Sequence, residues 1–271
     1  MTPSSRAPGE PPLIDLNCDL GEDFGAWAMG DDEALLSIVT SANIACGFHA
    51  GDLATMERVC WRAAENDVAI GAHIGYRDLA DFGRRPIAVD PDELISETIY
   101  QISALDGFAR LAGSHVSYVK PHGALYHTVT HDSVQAAALA EAAHRYNPEL
   151  AVPGLPGSQV LRQTELRGLR GVVEAFADRA YTADGTLLPR GEPGAVIHDP
   201  ATVVGRCVDM ALSGKVATHD GSPVRLAPRS LCVHGDTPGA VEIAGAVRSA
   251  LLDGGVRLAP YSLTEDLRCA S

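Results

Sequence analysis

Residues 68–76 read VAIGAHIGY. The run is apolar almost without a break as far as His73, and it lacks the in/out alternation of a strand with one wet face. A strand buried on both sides needs that pattern, and such strands belong to parallel sheets covered by helices. The same signature, a short apolar run closing on a histidine with glycine within two positions, occurs three more times. It surrounds His49 in NIACGFHAGD (43–52), His122 in YVKPHGALY (118–126) and His234 in LCVHGDTP (231–238). Parallel α/β folds gather the C-terminal ends of their strands at one face and put their chemistry there, so the four histidines are expected to meet in space.

Working outward from 68–76, strands are expected at 13–18, 42–47, 68–72, 116–120, 150–154, 172–177 and 230–234, each followed by a helical pattern. Asp90-Pro91-Asp92-Glu93 supplies an N-cap, a proline at N1 and an acid at N3 for a helix to about Ala112. Asp199-Pro200 and Thr237-Pro238 repeat the arrangement before 201–213 and 239–252. Asp52 can cap a helix whose stripe is Leu53, Met56, Val59, Cys60 and Ala63; Asp132 and Ser158 can cap 133–146 and 159–167. Seven β–α units in unbroken alternation point to a parallel (β/α) barrel, with a doubly wound open sheet as the competing topology. The 271 residues fit one domain, 13–271, preceded by a flexible proline-rich arm, MTPSSRAPGEPP (1–12). Residues 215–229, with Asp220-Gly221 as a turn signal, look like an inserted hairpin, and 178–198 form a long Gly/Pro-rich connection.

Composition narrows the function. A net charge of −14 disfavours nucleic acid and anionic membrane surfaces as partners. Six cysteines at irregular spacing suggest reduced thiols in a cytoplasmic protein. No apolar stretch approaches the ~20 residues of a membrane span, and the arm lacks the apolar core of a signal peptide. GxxxxGK[ST], GxGxxG after the first strand, GxSxG and HExxH are all missing, so no P-loop handles a nucleotide here.

Candidate site residues lie at the expected strand ends. Asp15, Asn17 and Asp19, two apart on the first strand, share a face, and Glu22 follows. An acid inside an apolar strand is costly unless it is paired or binds metal. Lys120 closes a buried strand and needs an anion, Asp15 or Glu174, or it donates to a developing oxyanion. Glu174 needs a cation, Arg179 or Lys120, and Asp178 lies just beyond it. Arg84-Arg85 can bind a carboxylate or phosphate. His49, His73, His122 and His234 can act as acid–base groups, metal ligands or hydrogen-bonded core residues. The residues do not identify a metal; histidine and aspartate from separate strands could still build a divalent site. The other histidines, His127 and His131 among them, receive no role.

Taken together, DLNCDLGE (15–22), SANIACGFHAGD (41–52), GAHIGYRDLADFGRR (71–85), KPHGALY (120–126), EAFADRAY (174–181), DGTLLPR (184–190) and CVHGDTP (232–238) resemble the motif set of the LamB/YcsF family. The match runs from about Leu13 to Val256; Cys18 and Ile74 stand where the family often has alanine and proline. The resemblance implies a distorted seven-stranded parallel (β/α) barrel similar to carbohydrate deacetylase and glycoside hydrolase-type barrels. It also implies opening of the lactam of 5-oxo-L-proline to L-glutamate, coupled to ATP hydrolysis to ADP and phosphate. Two further 5-oxoprolinase subunits, of B and C type, are expected, with ATP handled with those partners and a divalent metal possible. For that reaction Asp15 or Glu174 with a histidine is the expected base, and Lys120 and His122 are the expected oxyanion donors. Asn17, Asp19, His49, His73, Arg84, Asp178, Arg179, His234 and Asp236 are expected to hold substrate, water or metal. Two rival readings are a stand-alone metal-dependent deacetylase or amidase, and a non-catalytic substrate-binding subunit.

Overall fold

In a computed structural model of the chain, residues 11–235 and 239–262 are described. Seven parallel strands carry the fold: β1 (Leu13–Leu20), β2 (Ser41–Ala45), β3 (Ala69–Ile74), β4 (Val116–Pro121), β5 (Ala151–Gly154), β6 (Arg170–Phe176) and β9 (Ser230–Val233). They pair in chain order, and β9 then pairs with β1 in register Asp15↔Ser230 through Cys18↔Val233. That last ladder closes the sheet into a barrel and excludes the open, doubly wound alternative. Between β6 and β9 a two-stranded antiparallel hairpin, β7 (Lys215–Ala217) and β8 (Pro223–Arg225), sits where the Asp220-Gly221 signal placed a turn. A short β10 (Arg257–Leu258) adds to the start of β1.

Among the described residues, eight helices surround the barrel: α1 (Asp32–Leu36), α2 (Leu53–Glu65), α3 (Pro91–Leu111), α4 (Gly123–His131), α5 (Ser133–Tyr146), α6 (Gln159–Leu166), α7 (Pro200–Ser213) and α8 (Ala240–Asp253). The expected caps form. Asp52, Asp90, Asp132, Ser158 and Asp199 each accept a backbone N–H in the first turn, satisfying donors a helix start leaves open. Thr237-Pro238 lies outside the described residues, and Gly239 precedes α8 instead. Met56, Val59, Cys60 and Ala63 of α2 are buried, but Leu53 is 71% exposed, so the stripe begins one turn later than expected. Residues 1–10 of the expected arm are not among those described; Pro12 already belongs to the fold, accepting from Arg257 N at 2.7 Å.

Alternation along the strands sorts the side chains. Leu16, Cys18, Ile44, Ile70, Ala72, Val119, Ala175 and Leu231 belong to the large apolar core between sheet and helices. The opposite face of each strand points into the barrel. At its base Ala69, Tyr118, Ala151, Val172 and Tyr261 form a separate buried cluster. Gly71 makes room for it, since a Cβ there would lie 2.0 Å from the Tyr118 ring. The chain after β10 is tied across this end: Arg170 donates to Tyr261 O at 3.1 Å and Ser262 O at 2.7 Å. Above the cluster the interior turns polar, and there the site begins.

Candidate active site

The inward positions of β1 carry Asp15, Asn17 and Asp19, as the two-residue period requires. Asp15, the deepest, accepts from Thr40 Oγ1 at 2.7 Å, Ser41 Oγ at 2.6 Å and the Ser230 hydroxyl. Burial raises its pKa to about 6 despite those three donors. It meets hydroxyls rather than Lys120, and it does not line the cavity above it. Asn17 donates to Glu174 Oε1 (3.1 Å) and Ser230 Oγ (2.6 Å) and accepts from Asn43 Nδ2 (2.7 Å). Asn43 in turn accepts from the Tyr118 hydroxyl at 2.7 Å.

Lys120 stands at the centre of this network. Its Nζ lies 2.9 Å from Glu174 Oε1, 3.2 Å from Asp19 Oδ1, 3.1 Å from Asn17 Oδ1 and 3.1 Å from Cys232 Sγ. Burial works against the ammonium, but Asp19 above all holds its pKa well above the ordinary lysine value. Burial would likewise raise Asp19, yet Lys120 and then His73 keep it well below the usual carboxylate range. The cluster is therefore an ammonium between two carboxylates, with three N–H donors shared among four acceptors. Glu174 pairs with Lys120 and not with Arg179, which donates to Leu188 O (2.6 Å) and Ala195 O (3.3 Å).

Above Lys120 the mouth opens into a cavity of about 490 Å³, lined among others by Asp19, Glu22, His73, Arg84, Lys120, His122, Tyr126, Arg179, Arg190 and His234. His122 follows β4 directly; its Nε2 lies 2.8 Å from Phe82 O and its Nδ1 lies 3.0 Å from His73 Nε2. His73 Nδ1 is 3.3 Å from Lys120 O. His49 sits beyond the end of β2, on a loop, and stacks face to face on His122 with ring centroids 3.8 Å apart. Both of its nitrogens are buried without a hydrogen-bond partner among the described residues. Burial, then neighbouring imidazoles, keep His49 and His122 well below the normal histidine pKa. Gly83 is what lets these rings pack: a Cβ there would lie 2.7 Å from His49 Cβ and 2.8 Å from His122 Cδ2.

Across the cavity His234 Nδ1 lies 2.7 and 2.9 Å from the two oxygens of Asp178, and its ring stacks on Phe176. Arg190 Nη2 reaches His234 Nε2 at 3.3 Å. Burial of Arg179 beside Arg190 lowers its pKa to about 10, so the two guanidiniums form one positive rim. Arg84 lies over the Phe82 ring at 5.0 Å, whereas Arg85 is held by Asp78 and Asp81.

Of the residues singled out in the sequence, the structure thus brings Asp19, Glu22, His73, Arg84, Lys120, His122, Arg179 and His234 to one cavity. Glu174, Asp178 and His49 stand just behind it, Asp15 and Asn17 lie deeper, and Asp236 is outside the described residues. Tyr126, His127, His131 and Arg190 also line the cavity, although sequence reasoning gives them no role. His127 and His131 are four apart on α4, which starts right after His122; that helical spacing is a usable signal. Arg190 arrives through the 178–198 connection, whose path local sequence does not reveal. The Tyr126 hydroxyl is buried with no hydrogen-bond partner among the described residues.

The LamB/YcsF family profile matches residues 14–266, nearly the whole chain. The chain belongs to the LamB/YcsF family. Among the relatives of this LamB/YcsF protein, the 5-oxoprolinase A subunit of Streptomyces avermitilis is 59% identical over 250 residues, 92% of this chain and 100% of that protein. The corresponding 5-oxoprolinase A subunit of Streptomyces griseus is 57% identical with the same coverage. The crystal structure of the lactam utilization protein from Thermus thermophilus superposes with a TM-score of 0.87 at 42% identity, covering 91% of this chain and 99% of that one. The closed barrel expected from the LamB/YcsF motifs is the barrel observed.

Proposed function

We propose that this chain is the A-type subunit of an ATP-dependent 5-oxoprolinase, acting in the cytoplasm with B- and C-type subunits. It opens the lactam of 5-oxo-L-proline to L-glutamate while ATP is hydrolysed to ADP and phosphate. The observation that carries this reading is 59% identity over the full length of a protein named as a 5-oxoprolinase A subunit. The absence of a P-loop supports placing ATP with the partners.

The cavity has the groups that lactam opening needs. The positive rim of Arg179 and Arg190 suits the carboxylate of the substrate. Asp178 takes the Nδ1–H of His234 and turns Nε2 to the cavity, where it lies 3.3 Å from Arg190 Nη2; with Arg190 drawn onto the substrate carboxylate, that nitrogen is a general base held in one tautomer. In this scheme water attacks the lactam carbonyl carbon, His234 takes its proton, and the oxyanion collapses to the carboxyl group as the C–N bond breaks and that proton is returned to the ring nitrogen, while ATP is hydrolysed on the partner subunits. The unpartnered Tyr126 hydroxyl is the donor for the oxyanion. Lys120 and His122, the donors expected from sequence, already spend their N–H groups on Asp19, Glu174, Asn17 and Phe82. Their role is to fix the charges around the cavity.

The test is a 5-oxoproline and ATP assay of the chain with and without the two partner subunits, read as glutamate and phosphate formed. Activity is expected only with all three, and it is expected to vanish with His234→Ala. A complex fully active without this chain sinks the reading; turnover by the chain alone supports the stand-alone amidase instead.

A further inference from the structure

His73 Nε2 and His122 Nδ1 face each other at 3.0 Å, and Asp19 Oδ2 lies 3.5 Å from the same His73 nitrogen. A neutral imidazole carries one ring hydrogen. The outer nitrogen of each ring faces a backbone carbonyl, Lys120 O for His73 Nδ1 at 3.3 Å and Phe82 O for His122 Nε2 at 2.8 Å, so each ring has an acceptor for a hydrogen on that side. In that tautomer the inner nitrogens, His73 Nε2 and His122 Nδ1, turn their lone pairs toward one point; in the other tautomer one of them donates to the other at 3.0 Å. An outer N–H on a carbonyl with the inner nitrogen bare is how metal-bound histidines are held.

Two more donors converge on the same point. Glu22 Oε1 lies 4.0 Å from His122 Nδ1 and 4.0 Å from His49 Nε2. His49 is fully buried with neither nitrogen bonded, an arrangement that costs free energy unless something else satisfies it. One donor atom from each of Glu22, His49, His73 and His122 lies within 4.8 Å of the others. Donors sharing one ion sit roughly 3–4 Å apart, given metal–nitrogen and metal–oxygen bonds of about 2.0–2.2 Å.

We propose that Glu22, His49, His73 and His122 hold a divalent transition-metal ion at the barrel mouth. Three imidazoles and one carboxylate select an ion such as zinc over calcium or magnesium, which prefer oxygen ligands. His49 lies flat on His122, so its ring turns when the ion is loaded, whereas the other three donors need only close in. The neighbouring trio of Asp19, Cys232 and His234 is a different case, because the Lys120 ammonium already stands 3.2 Å from Asp19 and 3.1 Å from Cys232. Glu22, His73 and His122 line the cavity, so an ion bound there would polarise a carbonyl or a water within it.

The test uses the full chain without an affinity tag, stripped with chelator and then exposed to Zn²⁺ or Co²⁺. One equivalent of metal is expected to survive gel filtration, and the Co²⁺ form is expected to absorb in the visible. X-ray absorption of that form is expected to show at least two imidazoles around the ion. His122→Ala and Glu22→Gln are expected to bind at least about tenfold more weakly, with unchanged circular dichroism. His127→Ala, a cavity histidine outside the cluster, is expected to bind as the natural chain does. No retained metal, an all-oxygen coordination shell, or undiminished binding by His122→Ala overturns the proposal. The measurement needs neither partners nor 5-oxoproline, so it stands or falls separately from the 5-oxoprolinase reading.

Discussion

His234 Nδ1 is held between both carboxylate oxygens of Asp178, at 2.7 and 2.9 Å, although the two residues lie 56 positions apart. Burial alone would raise the Asp178 pKa, but His234 brings it below its usual value, so the carboxylate stays charged and the ring stays oriented. Asp178→Asn removes that charge and allows the other tautomer. A kcat loss on the order of 10³, with KM changed less than about threefold, is expected in the reconstituted complex. Full activity in this variant would remove His234 from the role of base.

Tyr126→Phe separates catalysis from stability. The hydroxyl is buried without a partner, so its removal deletes no hydrogen bond and is expected to leave Tm unchanged or slightly higher. If the hydroxyl meets the oxyanion, kcat falls by about 10- to 1000-fold. Unchanged kcat would exclude that role.

Lys120→Met leaves Asp19 and Glu174 buried without their cation. Breaking a buried pair from one side costs about 3–5 kcal/mol, so denaturant unfolding is expected to shift by that amount. Adding Glu174→Gln to Lys120→Met should recover part of the loss. A double variant no more stable than the sum of the two single changes predicts would show that the two charges are not coupled.

Asp15 gives a pH dependence of definite sign. Its folded pKa, about 6, lies above the unfolded value of 3.8, chiefly through burial. The protonated carboxyl therefore contributes its full share to stability below about pH 4, and that share is lost as pH rises through 6. The difference corresponds to about 3 kcal/mol. Asp15→Asn cannot charge, so its stability relative to the natural chain is expected to improve by about that amount between pH 4 and pH 7. A constant difference over that range would rule out the raised pKa.

Two glycines in left-handed backbone make a matched test. Gly83 (φ +66) faces His49 and His122 within 2.8 Å of a Cβ, whereas Gly113 (φ +78) has nothing within 4 Å. Gly113→Ala is expected to cost only the conformational strain, about 1 kcal/mol. Gly83→Ala adds displacement of both rings and is expected to weaken metal retention as well. Equal losses of stability and unchanged metal retention would mean that the rings do not depend on Gly83.

Much of the barrel could be read from single strands because burial on both faces leaves a local mark: a run such as VAIGA has only one comfortable environment. Cap residues were equally local, and Asp52, Asp90 and Asp132 fell where expected. The inward direction of Asp15, Asn17 and Asp19 followed from period two, but their depth did not. Whether an inward residue reaches the cavity or a hydroxyl layer depends on barrel stagger, which places Asp15 opposite Ser230 rather than beside Lys120. The pairing of Asp178 with His234, and the approach of Arg190, depend on how 178–198 folds back, through the contacts Arg179↔Val196 and Tyr181↔Leu187. The four histidines were expected to meet at one rim, as acid–base groups, metal ligands or core residues, but which of them cluster was not legible. Three of them share one point because His49 overshoots its strand by four residues and comes to rest on His122.

Tyr118 and Tyr261, with Ala69, Ala151 and Val172, stopper the far end of the barrel. The interior is thus a blind well and not a tunnel. Whatever reaches the polar interior therefore comes from the mouth, the side of the cavity lined by His73, Lys120 and His122. In the proposed 5-oxoprolinase reading, substrate would be taken up and product released on the same side of the barrel.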